Sequence, residues 1–524
     1  MRTLTTLSRL RDVVSLTAGD QRIQTVFTHD TGRRSMLAAG VEEALVELGA
    51  PLLPWSEAVG VRFDLAVAAS ENDGLADLDA PVLLLPHGAG HQKFYPDTSI
   101  VSGLSPDRLM VDGRVVPAAI ALPHAAHLRR LAQECRPAAS RGVVVGDPAL
   151  SRMRGSQFRS RYLRVGFGGR DKRLVVVAST FGPDAAFARL PELPARLVAD
   201  LPADEYQVVV LLHPGVWAAH GPWQVRAWLA QAAAYGLQVV PPHEGWQAAL
   251  LASSVVITDH GSLGVYAAAL DKPVMLVGRG STVTVPGSAA AKLAAIAPSW
   301  DVARPPQAQV DEVIDRHVPG AYASVTELLA QPDADGEGSA QRLRRLLYGL
   351  LRLDEPPEPA MFAPVLAPTA TRRPMPAVVV GAVIETDGVR IERYPDLGHG
   401  SPREGLTHRH LVADIRTASL PQLAAATVLV DDYRVAGSLR RWADQAAAEL
   451  ARWPQAHALA APLDDTSCTV WADGRSALLR ADEPLDPVAL ASLAYVRLTV
   501  DGRIPPRDRI YLGPRVIEVQ AAAA

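Results

Sequence analysis

The sequence predicts an α/β protein in which two lobes, each a parallel β-sheet covered by helices, precede a smaller C-terminal α/β domain. Short β-branched runs alternate with Ala/Leu-rich helical stretches through residues 20–350, and this alternation restarts at Arg173. A proline-dense segment then separates residues 377–524 from the rest. We therefore divide the chain into lobes at 1–165 and 166–353, a linker at 354–376 and a C-terminal domain at 377–524.

The first lobe is predicted from four short apolar runs and one amphipathic stretch. The runs predict strands at 21–28, 63–68, 82–85 and 142–145. Residues 35–48 form the predicted helix, because Leu37, Val41, Leu45 and Leu48 recur at helical spacing. Strands that alternate with helices pair in parallel, so we expect a parallel sheet.

The second lobe repeats this order with stronger signals. We predict strands at 174–178, 207–212, 237–240, 255–258 and 273–277. Helices are predicted at 223–235, 246–251 and 263–270. The two lobes are therefore expected to be of one kind.

The linker and the C-terminal domain differ in composition. Seven prolines fall within 354–376, which predicts an extended segment. Beyond it we predict strands at 377–384, 411–415, 427–430, 468–471 and 496–500, and a helix at 439–451.

Composition excludes several classes of protein. The 52 Lys+Arg and 56 Asp+Glu give a net charge of −4, so we expect no nucleic-acid partner. Only four of those 52 are lysines, an arginine bias typical of high-GC coding, as in actinobacteria. Two distant cysteines, Cys135 and Cys468, form neither a disulfide framework nor a zinc site. No run predicts a signal peptide or a transmembrane segment, so we expect a cytoplasmic protein that could still dock at the inner membrane face.

The first loop that could carry chemistry follows the predicted strand 82–85. Ligands of parallel sheets bind beyond the carboxyl ends of the strands. Gly88 allows close backbone approach to a ligand, His87 has the pKa range to deprotonate a hydroxyl, and Lys93 could pair with phosphate. A glycine-rich turn with a locally bonded histidine is the alternative.

Three further strand ends carry hydroxyl, imidazole or carboxylate groups. The residues are Ser179 and Thr180, then His213, and then Asp259, His260, Gly261 and Ser262. Hydroxyls and helix-start amides could bind phosphate, and a histidine could contact a diphosphate or leaving group. Ordinary helix capping and a loop histidine are the alternatives.

Together these residues resemble the CDP-glycerol glycerophosphotransferase family of teichoic-acid synthesis. His87-Gly88 with Lys93 is similar to the family's His-Gly motif, and His213-Pro214 to its His-Pro motif. Thr258–Ser262 and the following Lys272-Pro273-Val274 are similar to its Thr-Asp-Tyr-Ser-Ser stretch and Pro-led strand. The resemblance covers roughly residues 20–280 and implies the glycosyltransferase-B architecture of two Rossmann-like lobes.

The resemblance implies a transferase that moves a glycerophosphate or sugar unit from a nucleotide-activated donor to a hydroxyl acceptor. That acceptor could be membrane-associated, as in cell-envelope polymer synthesis. His87 and His213 would be catalytic, with His87 deprotonating the acceptor. The implied donor- or phosphate-binding residues are Gly88, Lys93, Ser179, Thr180, Asp259, His260, Gly261 and Ser262. Neither a metal nor a cofactor is expected, since the nucleotide-diphosphate-linked donor is itself the substrate.

Two departures from the family pattern leave other functions open. His260 and Gly261 replace the family's tyrosine and first serine. Val265, Tyr266 and Ala267 stand where the family carries an acidic residue after the last serine. A catalytically lapsed relative that binds a nucleotide or anion as a regulator or scaffold is the second hypothesis, and a nucleotide-sugar epimerase is the third.

Overall fold

A computed structural model describes the protein at residues 1, 3–29, 40–71, 73–95, 97–280, 283–330, 338–368, 374–398, 405–431, 435 and 438–523. Within these ranges the chain forms two parallel sheets and a closed barrel. None of the helices found in these ranges is long and apolar enough to cross a membrane.

The first parallel sheet has four strands in the order β3-β4-β7-β8. The strands of this part are β1 (Phe27–His29), β2 (Leu52–Pro54), β3 (Ala66–Ala68), β4 (Val82–Leu84), β5 (Met110–Val111), β6 (Arg114–Val115), β7 (Pro117–Leu122) and β8 (Gly142–Val144). Its helices are α1 (Leu4–Val14), α2 (Val41–Glu47), α3 (Trp55–Ala58), α4 (Pro106–Leu109), α5 (Ala125–Glu134), α6 (Pro148–Ser156) and α7 (Ser160–Gly166). Strands β1 and β2 pair separately, as do β5 and β6.

The second parallel sheet has five strands in the order β11-β10-β9-β12-β13. They are β9 (Arg173–Ser179), β10 (Tyr206–Leu212), β11 (Gln238–Val239), β12 (Val255–Thr258) and β13 (Val274–Leu276). The helices are α8 (Ala186–Arg189), α9 (Leu193–Asp200), α10 (Pro214–Ala234), α11 (Trp246–Ala252), α12 (Ser262–Ala269), α13 (Ala289–Ile296), α14 (Pro306–Asp315), α15 (Ala323–Thr326) and α16 (Ser339–Leu351). The strand order reverses between β9 and β12, which is where such sheets bind ligands.

The C-terminal part is a closed nine-stranded barrel. Its strands are β14 (Ala377–Glu385), β15 (Gly388–Pro395), β16 (His408–Asp414), β17 (Val428–Val430), β18 (Ala458–Pro462), β19 (Ser467–Ala472), β20 (Arg475–Ala481), β21 (Arg507–Leu512) and β22 (Arg515–Ala523). Its helices are α17 (Leu420–Ala425), α18 (Leu439–Leu450) and α19 (Pro487–Asp501). Helix α19 is buried at every residue from Ala489 to Ala494 and shares one core with inward residues of the strands.

The barrel docks on the second sheet through a buried ion pair. Arg393 on β15 donates to both oxygens of Asp204 at 2.8 and 2.6 Å, and it also contacts Asp486 at 2.8 Å. Burial opposes the charge of Arg393, but these two carboxylates raise its pKa above its ordinary value. The contact fixes the barrel on the side of the second sheet where α9 lies.

Two helices connect the first sheet with the second. Helix α16 follows the second sheet in sequence, yet Leu343, Leu347 and Tyr348 pack with Leu83 of β4 in the core of the first sheet. The last helix of the predicted lobe 166–353 therefore packs in the core of the first sheet. Helix α1, at the other end of the chain, contacts residues that follow both sheets and forms one wall of the site described below.

The predicted parallel α/β organisation of residues 1–353 agrees with these sheets, whereas the C-terminal prediction needs correction. That part, predicted only as a smaller α/β domain, closes into a nine-stranded barrel with three helices. The predicted strand 496–500 lies inside α19, because Asp486 caps this helix and Pro487 begins it. Strand β7 and helix α1 were not predicted. The predicted strand 21–28 shortens to β1, and residues 35–39 of the predicted helix 35–48 lie outside the described residues.

Candidate functional site

A cavity of about 290 Å³ lies between the carboxyl ends of the two parallel sheets. The loops after β4, β9, β10, β11 and β12 line it, and helix α1 closes one side. Its position therefore coincides with the point where the second sheet reverses its strand order. Among the predicted site residues, the cavity is lined by His87, Gly88, Lys93, Ser179, Thr180, His213, Asp259, Gly261 and Ser262.

Asp259 organises the loops at the reversal point. One carboxylate oxygen accepts from the backbone N–H of Thr180 at 2.8 Å, the Thr180 hydroxyl at 2.9 Å and the N–H of Ala186 at 2.8 Å. Its other oxygen accepts from the N–H of Gly261 at 3.0 Å. This carboxylate is only 1% exposed and fully used by these donors. It therefore positions the loops rather than contacting a ligand directly.

The hydroxyl of Ser179 is also engaged by the protein. It donates to the carbonyl of Thr180 at 3.0 Å and accepts from the N–H of Phe187 at 2.9 Å. Ser179 and Thr180 thus have their side-chain hydrogen bonds satisfied within the second sheet's loops. Ligand contact from this loop falls to its backbone and to the ring of Phe181.

His260 is the predicted site residue that lies outside the cavity lining. Its ring packs against Gly280, where an added Cβ would lie 2.4 Å from the Cβ and Cγ of His260. The loop turns between Asp259 and Ser262, so neighbouring side chains point to different sides. The structure thus places the His260 ring against Gly280, and the phosphate contact expected of His260 stays a prediction.

The loops from the two sheets touch at Gly88 and Ser262. The N–H of Ala89 donates to the Ser262 hydroxyl at 3.2 Å. An added Cβ at Gly88 would lie 2.6 Å from that hydroxyl, so only glycine fits this approach. Gly261 has the same constraint, since a Cβ there would lie 2.5 Å from the Thr180 Cγ2. Both glycines let the two sheets' loops close around the cavity.

Helix α12 starts at this contact with its amides directed toward the cavity end of β12. Gly261 is its N-cap, with no side-chain cap, and its first turn contains no acidic residue. The positive end of the helix dipole therefore lies at the cavity, and the Asp259 carboxylate that accepts from the N–H of Gly261 offsets part of it. The helix start favours a bound anion only together with the positive charge of Lys93.

Lys93 brings a positive charge to the cavity. Within the described part of the chain, its ammonium forms no hydrogen bond or ion pair. Burial lowers the pKa of Lys93, while the nearby charge of Asp259 acts in the opposite direction. Its backbone is fixed because Lys93 pairs with Thr284, flanked by a 3.0 Å bond from Phe94 N–H to the carbonyl of Val283. A partly buried cation that has no hydrogen bond or ion pair within the described residues favours an anionic ligand, which would offset its desolvation.

His213 caps helix α10 and thereby fixes its own tautomer. Its Nδ1 accepts from the N–H of Gly215 at 2.9 Å, so in the neutral ring the proton is on Nε2. Phe181 stacks on the ring at a centroid distance of 4.8 Å. Burial lowers the pKa of His213 to about 4, and Lys93 and His87 add to this effect. His213 is thus a neutral hydrogen-bond donor at pH 7.

His87 is chemically different from His213 although both face the cavity. In the described ranges no protein group hydrogen-bonds to its ring, which is accessible from the cavity. Enclosure by the protein lowers the pKa of His87 to about 4, and the charges of Arg9 and Lys93 contribute. Its ring nitrogens remain available, so His87 can accept a proton from a bound ligand.

A buried triad that was not predicted joins both sheets beside the cavity. Arg9 of α1 donates to the carbonyl of Gly88 at 2.8 Å, to Asp147 at 3.2 Å and to the hydroxyl of Tyr266 at 2.5 Å. The Tyr266 hydroxyl in turn donates to Asp147 at 2.9 Å. Burial raises the pKa of Tyr266 well above its ordinary value, so it stays a neutral donor. The position that lacks the family's acid is thus filled by a phenol tied to Arg9.

Other side chains of α1 reinforce this connection. Ser8 accepts from the Trp246 indole N–H at 3.2 Å. Asp12 accepts from Arg152 at 2.6 Å and from the Gln247 amide at 3.2 Å. Helix α1 therefore holds α6, after the first sheet, to α11 and α12 of the second sheet. The sequence offered one signal for it, since Arg9 and Asp12 lie on the buried face of an amphipathic stretch.

Two buried histidines beneath the cavity predict how stability depends on pH. His91 donates through Nδ1 to the carbonyl of Ser102, and His127 through Nε2 to that of Leu328. Burial lowers their pKa values to about 3 and about 4. The unfolded chain takes up these protons below a pKa of about 6.5, while the folded protein does not. Each histidine should therefore remove about 1–2 kcal/mol of stability between pH 7 and pH 5.

The urea midpoint of the variant His91→Gln checks this expectation. Glutamine keeps a donor for Ser102 and does not titrate, so the midpoint should fall less between pH 7 and pH 5 than in the unchanged protein. His220→Gln, on the exposed side of α10, is the control and should keep the full pH dependence. An identical pH dependence in all three proteins would show that His91 does not contribute.

Comparisons with known proteins identify related shapes but no family. No family model matches the sequence, and no curated protein matches it. A structure of the wall teichoic acid polymerase TagF shares 12% identity over 55% of this chain and 72% of that chain, with a TM-score of 0.38. The structure of S. aureus MnaA with UDP shares 12% sequence identity over 67% of this chain and 95% of that chain, with a TM-score of 0.40.

UDP-GlcNAc 2-epimerase from Neisseria meningitidis, bound to UDP-GlcNAc, gives a similar result. It shares 12% identity over 67% of this chain and 98% of that chain, with a TM-score of 0.39. These likenesses are too loose to assign a function. The functional inference therefore rests on the geometry of the cavity.

Proposed function

We propose that the protein is a transferase that binds a nucleotide-activated donor in the cavity and moves a glycerophosphate or sugar unit from it to a hydroxyl acceptor. The observation that carries the proposal is the unpaired ammonium of Lys93 in a cavity shared with His87 and His213. A partly buried cation beside two neutral imidazoles supports an anionic ligand at which proton transfer can occur.

The donor's diphosphate would lie between Lys93 and the first turn of α12. The ammonium and the amides of the helix start would offset its negative charge. His213 would donate from Nε2 to a phosphate oxygen, since its Nδ1 is held by Gly215. If the transferred unit is a sugar, its C–O bond to the diphosphate breaks and the nucleoside diphosphate leaves with the electron pair. If it is a glycerophosphate, the P–O bond within the diphosphate breaks and the nucleoside monophosphate leaves with the electron pair.

The acceptor hydroxyl would bind on the side of His87. His87 takes the hydroxyl proton as the acceptor oxygen forms the new bond, so a free ring nitrogen is what this step requires. A pKa near 4 makes His87 a weak base in the empty cavity. The charge of a bound diphosphate offsets that of Lys93 and Arg9, and this raises the basicity of His87 when the donor is present.

Thermal shifts with CDP-, UDP- and GDP-linked donors test the proposal. At least one donor should raise the melting temperature, because a ligand that binds only the folded state stabilises it. Ser262→Ala should reduce this shift, whereas His87→Ala should retain most of it and lose turnover by about 10²–10⁴-fold. His220→Ala is the matched control and should behave like the unchanged protein. No shift with any donor would refute the transferase proposal.

A second candidate function, a catalytically lapsed protein that binds a nucleotide or anion as a regulator, has one observation in its favour. The triad of Arg9, Asp147 and Tyr266 ties the two sheets together beside the cavity and therefore opposes their movement relative to each other. A transferase, by contrast, gains from closure of its lobes around the substrates. Donor binding without turnover of any donor with hydroxyl acceptors would favour this candidate.

A further inference from the structure

Helix α7 and the turn before it carry an apolar stripe on the side away from the core. Phe158 is 79% exposed, Tyr162 68% and Val165 39%. These residues follow one another at one-turn spacing, so they share a helix face. Leu163 and Phe167 face inward and are buried in the core of the second sheet. The element therefore has two apolar faces, of which the core uses one.

Arginines surround this stripe without acidic residues. Residues 148–170 contain no Asp or Glu and six arginines, which are Arg152, Arg154, Arg159, Arg161, Arg164 and Arg170. Arg159 lies over the ring of Phe158 at 5.1 Å from its centroid. In the described part of the chain, Arg159, Arg161 and Arg170 form no ion pair. The charge of this face is therefore not neutralised within the protein.

The segment after residue 360 extends the same face. Arg152 donates to the carbonyl of Ala363 at 2.8 Å, and the N–H of Val365 donates to the Ser156 hydroxyl at 3.0 Å. These bonds lay the segment along α6 and α7. Leu366, directly after Val365, is 74% exposed. An exposed aliphatic side chain thus lies in the segment that runs beside α6 and the end of α7.

We propose that this face, formed by Phe158, Arg159, Arg161, Tyr162, Val165 and Leu366, docks on the surface of an anionic lipid bilayer. Guanidinium groups pair with lipid phosphates, and aromatic rings sit at the depth of the headgroups. Val165 and Leu366 favour lipid over nucleic acid, since aliphatic side chains gain by leaving water but do not stack on bases. The proposal is independent of the function proposed for the cavity.

Flotation of the full chain with vesicles tests the docking face. The protein should float with phosphatidylcholine vesicles that contain phosphatidylglycerol and not with phosphatidylcholine alone, and added salt should weaken binding. Phe158→Ser/Tyr162→Ser should lower the partition coefficient about tenfold. Arg159→Gln/Arg161→Gln should lower it roughly 30-fold. Trp223→Ser removes a ring that is 78% exposed on α10 and should leave binding unchanged.

The variant Phe158→Trp adds a direct readout of ring insertion. Its fluorescence should shift to shorter wavelength when phosphatidylglycerol vesicles are added. The proposal would be overturned if the unchanged protein did not bind these vesicles. It would also be overturned if both double variants bound them as tightly as the unchanged protein does. Binding of RNA or an acidic protein through these residues, with no vesicle binding, would assign the face to that partner instead.

Discussion

Replacing Arg9 by methionine is expected to lower the free energy of unfolding by about 3–5 kcal/mol. Arg9 is 4% exposed and Asp147 2% exposed, so the variant leaves a carboxylate buried without its cation. It also removes the donors to the Gly88 carbonyl and the Tyr266 hydroxyl. The midpoint of urea unfolding and the melting temperature measure the loss.

Three further variants isolate the cause. Arg11→Met removes a partly exposed arginine of the same helix and should have little effect. Arg9→Lys should recover part of the stability, since lysine keeps the charge but lacks the planar set of donors. Arg9→Met/Asp147→Asn should be more stable than Arg9→Met, because no charge remains buried alone. Equal stability of Arg9→Met and the unchanged protein would contradict the role of the triad.

Replacing Lys93 by methionine is expected to weaken the binding of a nucleoside diphosphate about 10- to 100-fold. A hydrogen bond to a charged group contributes about 1.5–3 kcal/mol, and among the described residues Lys93 has no hydrogen-bond or ion-pair partner to lose. The same variant should hold or raise the stability of the empty protein, because the desolvated ammonium is removed. Calorimetric titration and melting temperature measure the two effects separately.

The opposite signs of these effects distinguish a binding cation from a structural one. A lysine that stabilised the fold would lower the melting temperature when replaced, with or without ligand. Lys292→Met is the matched control, since Lys292 lies on α13 outside the cavity lining and should change neither quantity. Unchanged diphosphate affinity in Lys93→Met would exclude Lys93 from the binding site.

The second parallel sheet could be predicted because its strands carry their own signal. Residues 174–178 of β9 and all of β12 form continuous apolar or β-branched runs, which is typical of a strand covered on both faces. Val177 accordingly pairs with Val210 on one side and Ile257 on the other. Local pattern and tertiary position agree here, so the prediction and the structure coincide.

The barrel and α19 could not be predicted, because they depend on contacts between residues far apart in the sequence rather than on a local pattern. Strand β14 pairs with β15 and β16, and closure depends on β15 pairing with β21, which is far away in the sequence. Val496, Thr499 and Val500 are β-branched, yet they lie in α19, because Asp486 caps this helix, Pro487 begins it and its residues 489–494 and 496 are buried in the barrel core. Strand pairing over such separations has no signature in a local window.

The candidate site also has residues that could be predicted to converge and residues that could not. Residues directly after strands, such as His87, Lys93 and His213, could be predicted to converge, because parallel strands bring their carboxyl ends to one edge. Arg9 could not be predicted, since its partners Asp147 and Tyr266 lie 138 and 257 residues away. The engagement of Asp259 by backbone amides also depends on loops that only the folded chain brings together.

A crystal structure of the protein with a nucleoside diphosphate would show whether the cavity is the donor site. We expect the diphosphate in the cavity between the two sheets, with phosphate oxygens within hydrogen-bond distance of Lys93 Nζ, His213 Nε2 and the first amides of α12. His87 should then face the open side of the bound ligand. A diphosphate bound elsewhere on the protein, with the cavity empty and no phosphate oxygen near Lys93, would exclude the cavity as the donor site.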